Sequence, residues 1–241
     1  MKFLYFLAAI GGPDLEKKFK ILARNLIYIH HTLKQKFSIA INCYNSFDEV
    51  SEFVKRFSFL DKVYFHSRPN SVLTELWFTN PYMRECDDYD EILFILDDVS
   101  ISRINIPFLL DIRDKHDIDI ISPAIINATH KYMMSESSTT LAFTNHLEVY
   151  CMLMTPSNFR RYLSINTVRN KWIWGVDMLF GHFGINTAVY YGMNAFHAIP
   201  DAHGRKDEAF MLMNQYLSER GFKSVEHVKR LYPAIRKTIT I

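Results

Sequence analysis

Residues 89–99 read YDEILFILDDV, in which an unbroken apolar run from Ile92 to Leu96 leads directly into two acids, Asp97 and Asp98. A short apolar run of this kind predicts a strand buried on both faces, as in parallel sheets. In open α/β sheets, ligands bind beyond the carboxyl ends of the strands. Because adjacent carboxylates repel each other unless a cation lies near them, the pair indicates a divalent-metal site. An acid after a strand can also cap a turn or a helix, and that alternative stays open.

The composition excludes some classes of protein. A chain of 241 residues can form one large α/β domain or two small ones. Its net charge of +2 provides no basic footprint, so we expect no nucleic-acid partner. The three cysteines have neither metal-ligand spacing nor a disulfide framework, which predicts a reducing, cytoplasmic location. They are Cys43, Cys86 and Cys151.

The N-terminal residues 3–10, FLYFLAAI, resemble the apolar part of a short signal peptide. Only Lys2 supplies a positive charge before them, and Gly11 and Gly12 follow as a turn, so a first buried strand is the better interpretation. No other apolar run approaches the ~20 residues that span a bilayer, which predicts a soluble protein with no transmembrane segment.

Strands and helices alternate along the first half of the chain, which predicts right-handed βαβ units and a mainly parallel sheet flanked by helices. The predicted elements there are strands at 3–10, 38–44, 62–65, 92–96 and 118–124, and helices at 15–36, 47–57, 73–82 and 106–115. The second half is predicted to hold strands at 148–153 and 187–196, a helix at 156–163 and two helices within 208–237.

Two other segments of the second half are predicted to have special properties. The polar run 135–140 is predicted to be a mobile loop. The last predicted helix is basic, so a peripheral contact with an anionic membrane is one option and a solvated face is the other. Its basic residues are Lys223, Lys229, Arg230, Arg236 and Lys237.

A second candidate site segment is 172–181, WIWGVDMLFG. The indole faces of Trp172 and Trp174 can bind the apolar face of a sugar, and Gly175 lets a substrate approach the backbone closely. Asp177, near a predicted helix start, can act as a hydrogen-bond acceptor or as a general base. The alternative is that both indoles belong to the core and that the acid caps a helix.

A third segment is 196–204, FHAIPDAHG. His197 ends a predicted strand, so it can reach the same sheet edge as Asp98. An imidazole, a carboxylate and diphosphate oxygens together suit Mn²⁺. The alternative is a structural or merely exposed histidine, and His203 is the reserve candidate.

Together, these segments resemble the GT-A class of nucleotide-sugar glycosyltransferases. The likeness is to a glycosyltransferase-like family of plant proteins of unassigned function, with relatives among glycosyltransferases of large algal viruses. If the protein is viral, the expected location is the host cytoplasm. The matching segments are LWF at 76–78, YDEI at 89–92, LDDV at 96–99, IDIISPAI at 118–125, WGVD at 174–177, and HAIP at 197–200 with Gly204. In register with the family's Asp-x-Asp motif, Leu96 replaces the first acid and Asp98 is the last.

The resemblance implies a single GT-A (Rossmann-like) domain over residues 1–241. Its nucleotide-sugar-binding half would be 1–125, its acceptor half 126–205, and its C-terminal helices 206–241. The implied reaction is a metal-dependent, inverting transfer of a hexosyl or pentosyl group. The donor would be a nucleotide-diphosphate sugar, and the acceptor a hydroxyl of a glycan or glycoprotein.

The resemblance also implies a role for each candidate residue. Mn²⁺ or Mg²⁺ would be bound by Asp98 and His197, and Asp177 would be the general base. If configuration is retained instead, Asp177 only orients the acceptor. The expected donor-binding residues are Ala9, Gly11, Asn42, Arg68 and Asp97. The expected acceptor-binding residues are Trp172, Trp174 and Gly175.

Two other functions remain open at the level of sequence. A metal-dependent nucleotidyltransferase or phosphohydrolase also uses acids at a parallel-sheet edge, but it usually adds a Gly-rich phosphate loop or further carboxylates. Gly11 and Gly12 alone are a weak sign of such a loop. A non-catalytic carbohydrate-binding protein is the third option, which the departure at Leu96 leaves open.

Overall fold

The computed structural model describes residues 1–134, 138–199 and 206–241, the side chain of Lys206 excepted. The strands are β1 (Phe3–Ile10), β2 (Phe37–Cys43), β3 (Leu60–Ser67), β4 (Glu91–Ile95), β5 (Val99–Ser100), β6 (Ile120–Ile126), β7 (Thr140–Thr144), β8 (Cys151–Met154), β9 (Thr187–His197) and β10 (Ile235–Thr240). The helices are α1 (Leu15–Leu33), α2 (Phe47–Val54), α3 (Leu73–Thr79), α4 (Ile106–Lys115), α5 (Pro156–Ile165), α6 (Lys206–Ser218) and α7 (Val225–Leu231). Short 3₁₀ turns occupy Glu85–Asp88 and Lys131–Met133.

The strands form one large mixed sheet in the order β10-β7-β9-β6-β8-β4-β1-β2-β3, with β5 paired to the end of β9. The N-terminal part, β3-β2-β1-β4, is wholly parallel. Strand β8 is antiparallel to both β4 and β6, whereas β6 and β9 are parallel to each other. Strands β7 and β10 complete the sheet in antiparallel pairs. The expectation of a mainly parallel sheet therefore holds for the first half of the chain, and the second half is mixed.

The apolar runs of the first half form the central strands because both faces of the sheet are covered there. Strands β2 and β4 are buried along their whole length, and β1 along all but one residue. The Phe94 ring of β4 packs against the rings of Trp77 of α3 and Tyr162 of α5, with centroid distances of 5.2 and 5.5 Å. These aromatic contacts attach two helices to the middle of the sheet.

One edge of the sheet collects the chain segments of the candidate site. The parallel strands β1 to β4 all end at this edge. Strand β9 runs in the same direction as β4, because β8 is antiparallel to both β4 and β6 and β9 is parallel to β6. Its last residue therefore lies at the same edge, where β8 begins.

The C-terminal segment differs from the expected second helix. Helix α7 ends at Leu231, two residues before Pro233, which cannot continue the helical hydrogen bonds. The chain then forms β10, an edge strand paired to β7. Arg236 and Lys237 lie in this strand, so the basic residues do not form one helical face. In the described part of the chain, every helix is too short or too polar to span a bilayer.

Strand β7 is another element that the sequence reasoning missed. A mobile loop was predicted at 135–140. Residues 135–137 of it lie outside the described residues, and its last residue, Thr140, begins β7. This short strand is stabilised by pairing to β9 and β10, which is a tertiary effect.

Candidate functional site

Asp98 and His197 are direct neighbours at the shared sheet edge. The Oδ2 atom of Asp98 lies 3.0 Å from Nε2 of His197. The backbone explains this contact, because β5 pairs with the end of β9 so that Val99 is opposite His197. In addition, the backbone N–H of Ala198 donates to the Asp98 carbonyl at 2.8 Å. Two strands distant in sequence thus place a carboxylate and an imidazole side by side.

Two polar contacts fix the orientation of the His197 ring. Its Nδ1 lies 3.2 Å from the carbonyl oxygen of Asn127, which can only accept, so Nδ1 carries a proton. The other nitrogen, Nε2, therefore faces Asp98, in the arrangement typical of metal-bound histidines. Burial lowers the pKa of His197, but the neighbouring Asp98 carboxylate outweighs it, and the net pKa is raised.

This pair fits Mn²⁺ or Mg²⁺. The second oxygen of Asp98, Oδ1, is buried and has no hydrogen-bond partner among the described residues. The separation of 3.0 Å matches two adjacent ligands, each about 2.1 Å from an octahedral ion. No group of three or more His, Cys, Asp or Glu residues in the described ranges could hold a metal. Two protein ligands leave the other positions for water and phosphate oxygens. The reserve candidate, His203, lies outside the described residues.

Asp97 has a different environment from Asp98. Its Oδ2 lies 2.8 Å from the ammonium of Lys18, which is 7% exposed. The same ammonium donates to the carbonyl of Gly11 at 2.8 Å, and the Tyr44 hydroxyl donates to that carbonyl at 2.7 Å. Burial lowers the pKa of Lys18, but Asp97 outweighs it and raises the pKa, so the lysine remains charged. The carboxylate of Asp97 is therefore engaged inside the protein.

The expected donor-binding residues lie at or near the carboxyl ends of β1, β2 and β3. Ala9 is half-buried, and Gly11 has a φ of 143°, in a turn where an added Cβ would lie 2.9 Å from the backbone nitrogen of Asn45. Arg68 follows β3, has a side chain that is 45% exposed, and forms an ion pair with Glu75 at 2.8 Å. Gly11 and Arg68 are thus placed beside the same sheet edge.

Asn42, an expected donor-binding residue, has its side-chain amide bonded within the protein. Its side chain has no exposed surface. The amide nitrogen donates to the carbonyl of Ala8 at 3.3 Å, and the amide oxygen accepts from Asn80 at 2.7 Å. Burial and these two bonds make Asn42 a structural residue that joins β1, β2 and the end of α3.

Asp177 lies in consecutive turns rather than at the expected helix start. Its Oδ1 accepts from the backbone N–H of Gly175 at 3.1 Å, and its carbonyl accepts from Leu147 at 2.9 Å. Gly175 has a φ of 83°, and an added Cβ would lie 2.9 Å from Cγ of Met213. Burial, followed by the charge of Glu148, raises the pKa of Asp177 to about 7. Such a carboxyl group can take up a proton near neutral pH.

The two expected acceptor tryptophans are both half-buried. Trp174 packs edge-on against Phe210 of α6, with ring centroids 5.0 Å apart, and Phe210 is half-exposed. The indole Nε1 of Trp172 is buried and finds no hydrogen-bond partner in the described ranges. The segment therefore has an aromatic surface and one unused donor.

The sequence reasoning missed Glu148, His130 and Tyr150. Glu148 is buried, and its Oε1 lies 2.9 Å from Nδ1 of His130. The Tyr150 ring lies 4.7 Å from the His197 ring, centroid to centroid. These residues come from the loop after β6 and the segment before β8. They could be assigned to the site only once β8 is known to run antiparallel to β4, which no motif indicates.

Glu148 links the two groups of candidate residues electrostatically. Its charge raises the pKa of Asp177 on one side and contributes to the raised pKa of His197 on the other. Burial, then Glu148, and more weakly Asp98, raise the pKa of Tyr150 to about 12. The Asp98–His197 pair and Asp177 therefore belong to one electrostatic environment.

Comparisons with known proteins show the fold. No protein-family model matches the chain, and the comparison with curated proteins gives no match. Among solved structures, TarS from S. aureus is 12% identical with a TM-score of 0.58, over 91% of this chain and 39% of that one. A structure of TarS 1–349 with UDP-GlcNAc gives 13% identity and a TM-score of 0.60, over 91% of this chain and 66% of that one.

GalNAc-T7, in a structure with UDP, GalNAc and Mn²⁺, is 8% identical with a TM-score of 0.61, over 90% of this chain and 48% of that one. The chain thus spans between two fifths and two thirds of the length of these three structures. At such low identity the likeness establishes the fold alone. The chain is a single mixed α/β domain with the fold of the GT-A glycosyltransferases.

Proposed function

We propose that this protein is a metal-dependent glycosyltransferase. It would transfer a sugar from a nucleotide-diphosphate sugar to a hydroxyl group of a glycan or glycoprotein. The observation that carries the proposal is the contact between Asp98 and His197, at the sheet edge of a GT-A fold. Structures with this fold contain UDP-GlcNAc in TarS and UDP with Mn²⁺ in GalNAc-T7.

Asp98 and His197 would hold Mn²⁺ or Mg²⁺. When bound, the cation neutralises charge on the leaving diphosphate, a Lewis-acid effect worth several kcal/mol. Leu96 provides no carboxylate, and Asp97 is paired with Lys18. Asp98 is then the one acid of this segment that is free to bind metal, so we expect weak metal affinity until donor phosphates add their oxygens.

The nucleotide would lie over the ends of β1 and β3. The Gly11 turn, stabilised by Lys18 and Tyr44, allows a ligand to approach the backbone closely. The exposed guanidinium of Arg68 can exchange its partner Glu75 for the donor. Asp97 acts indirectly in this proposal, by holding Lys18 against the turn.

The acceptor would bind beside Trp172, Trp174 and Gly175, within reach of Asp177. In the inverting reaction, the acceptor hydroxyl gives its proton to Asp177 as its oxygen bonds to the anomeric carbon. The bond from that carbon to the diphosphate breaks, and its electron pair leaves with the diphosphate. A pKa of about 7 suits Asp177 to this role, since an ordinary aspartate would be a weaker base.

A panel of nucleotide sugars tests this function. Thermal stability is measured with each compound, with and without Mn²⁺, and nucleotide release is then measured with and without acceptor glycans. We expect stabilisation by one nucleotide class that requires metal, followed by slow hydrolysis of the donor. Stabilisation by glycans alone would instead identify a carbohydrate-binding protein. Cleavage of nucleoside triphosphates would identify a nucleotidyltransferase or phosphohydrolase.

A further inference from the structure

Glu148 and His130 form a fixed pair next to the Asp177 backbone. Both carboxylate oxygens of Glu148 are engaged by His130, one by Nδ1 at 2.9 Å and the other by the backbone N–H at 3.1 Å. The residue before Glu148, Leu147, donates its backbone N–H to the Asp177 carbonyl at 2.9 Å. Glu148 is therefore held by His130, and the residue before it is bonded to the Asp177 backbone.

The exposure of the pair favours a role beyond packing. Glu148 is buried, whereas the His130 side chain is 38% exposed and can exchange protons with solvent. A buried carboxylate costs free energy unless it is paired, and here the partner is a group that can itself titrate. Since Glu148 has both oxygens engaged, Asp177 remains the better candidate to meet an acceptor.

We propose that Glu148 and His130 are positioning residues that set the pH at which Asp177 can accept a proton. The negative charge of Glu148 disfavours a second negative charge on Asp177, and the imidazolium of His130 partly offsets that effect. The catalytic consequence rests on the function proposed above, but the electrostatic coupling can be measured with no substrate.

Other groups around Asp177 leave this assignment intact. Its charge also acts on the hydroxyls of Tyr132, Tyr162 and Tyr216, which stay neutral because burial raises the pKa of each one. Lys229 of α7 acts on His130 and opposes its protonation. His146 lies in the same region, but burial lowers its pKa to about 4, so it is uncharged at neutral pH. Among the residues that the structure describes, Glu148 and His130 are the remaining titratable groups that act on the Asp177 carboxyl.

The test is an NMR titration of aspartate labelled with ¹³C at Cγ, with the Asp177 signal assigned by its loss in Asp177→Asn. Glu148→Gln keeps the shape and removes the negative charge. His130→Asn keeps a side-chain N–H donor and removes the positive charge. Glu52→Gln is the matched control, because Glu52 is exposed and paired with Lys55 on α2.

We expect the wild-type midpoint near pH 7, a shift of about one pH unit downward in Glu148→Gln, and a shift of similar size upward in His130→Asn. The control should match the wild type. Midpoints that stay unchanged in both variants overturn the proposal, because a purely structural pair would alter stability without moving the titration. If Glu148→Gln fails to fold, His130→Asn decides the question alone.

Activity then separates this inference from the proposed function. The acid limb of kcat, measured by nucleotide release with acceptor, should shift with the NMR midpoint in each variant. If the midpoints shift but no nucleotide sugar is turned over, the coupling stands and the glycosyltransferase proposal fails. If turnover occurs but its pH profile stays the same while the NMR midpoint of Asp177 shifts, Asp177 is not the base and the catalytic part of this inference is wrong.

Discussion

The carboxylate of Asp98 lies 3.0 Å from the imidazole of His197, although the two residues are 99 positions apart in the sequence. The contact depends on the antiparallel pairing of β5 with β9, which consists of two residue pairs. Each side chain follows or ends a strand at the same edge of the sheet. This arrangement leads directly to the first prediction.

Asp98→Asn should abolish the metal-dependent stabilisation of the protein by its nucleotide sugar. An amide is a poor ligand for Mn²⁺, and without Asp98 the site keeps only His197. Thermal unfolding with donor, with and without Mn²⁺, measures the effect. Asp87→Asn is the control, since Asp87 is exposed and paired with Arg160 away from this contact. A full Mn²⁺-dependent shift in Asp98→Asn would remove this residue from metal binding.

Asp177→Asn should bind donor normally and lose transfer. General-base catalysis typically contributes ~10²- to 10⁴-fold, so kcat should fall within that range. In the wild type, kcat should rise about tenfold per pH unit below pH 7 and level off above it, because the ionised form of Asp177 is the active one. A variant that retains wild-type kcat would show that this carboxylate is not the base.

The same variant should be more thermostable than the wild type at pH 8. A carboxyl whose pKa is raised on folding is ionised more easily in the unfolded state, so stability falls as the pH rises from about 4 to about 7. Asparagine removes this cost, and a Tm increase of a few degrees is expected at pH 8. Near pH 4 the difference should vanish, since Asp177 is then protonated in the folded protein. If Asp177→Asn and the wild type had the same Tm at pH 8 as well as at pH 4, this result would contradict the raised pKa of Asp177.

Lys18→Met should destabilise the protein strongly. The substitution leaves Asp97, whose side chain is only 15% exposed, without its charged partner, and breaking a buried ion pair typically costs about 3–5 kcal/mol. Urea unfolding measures the loss, and the double substitution Lys18→Met with Asp97→Asn should recover much of it. Lys20→Met is a control on the same helix, because Lys20 is exposed and paired with Glu16, and it should change stability by less than about 1 kcal/mol. Wild-type stability in Lys18→Met would show that the ion pair is unimportant.

Gly175→Ala should cost more stability than Gly221→Ala. Both glycines have left-handed backbones, with φ of 83° and 81°, and each alanine pays ~1–3 kcal/mol for that conformation. At Gly175 the new Cβ also lies 2.9 Å from Cγ of Met213, whereas Gly221 has open space. The difference between the two variants in urea isolates the steric term. Equal losses of stability in the two variants would argue against close packing at Gly175. We also expect Gly175→Ala to raise the KM for the acceptor.

Sequence alone predicted the features that local pattern determines. The apolar runs predicted β1, β2 and β4, and the boundaries of α4 matched at both ends. The proximity of Asp98 and His197 was also expected, because Asp98 follows β4, His197 ends β9, and these two strands run in the same direction.

Sequence could not predict features that arise from pairing over long distances. The direction of β8 depends on its neighbours rather than on its own residues, so Glu148 had no visible link to the site. Strand β10 is mostly exposed and carries basic residues, which made a helix equally plausible before its pairing with β7 was known. Asn42 resembled a ligand-binding residue because a sequence does not show that Asn80 and Ala8 satisfy its amide.

The pairing between β5 and β9 also determines when the contact between Asp98 and His197 can form during synthesis. Asp98 emerges from the ribosome early, but its partner follows 99 residues later, so shorter nascent chains hold only half of the pair. If the pair binds a cation as proposed above, that affinity can arise only once the second half of the sheet has formed. Mn²⁺ binding by a series of C-terminally truncated chains would therefore show the chain length at which this part of the fold is complete.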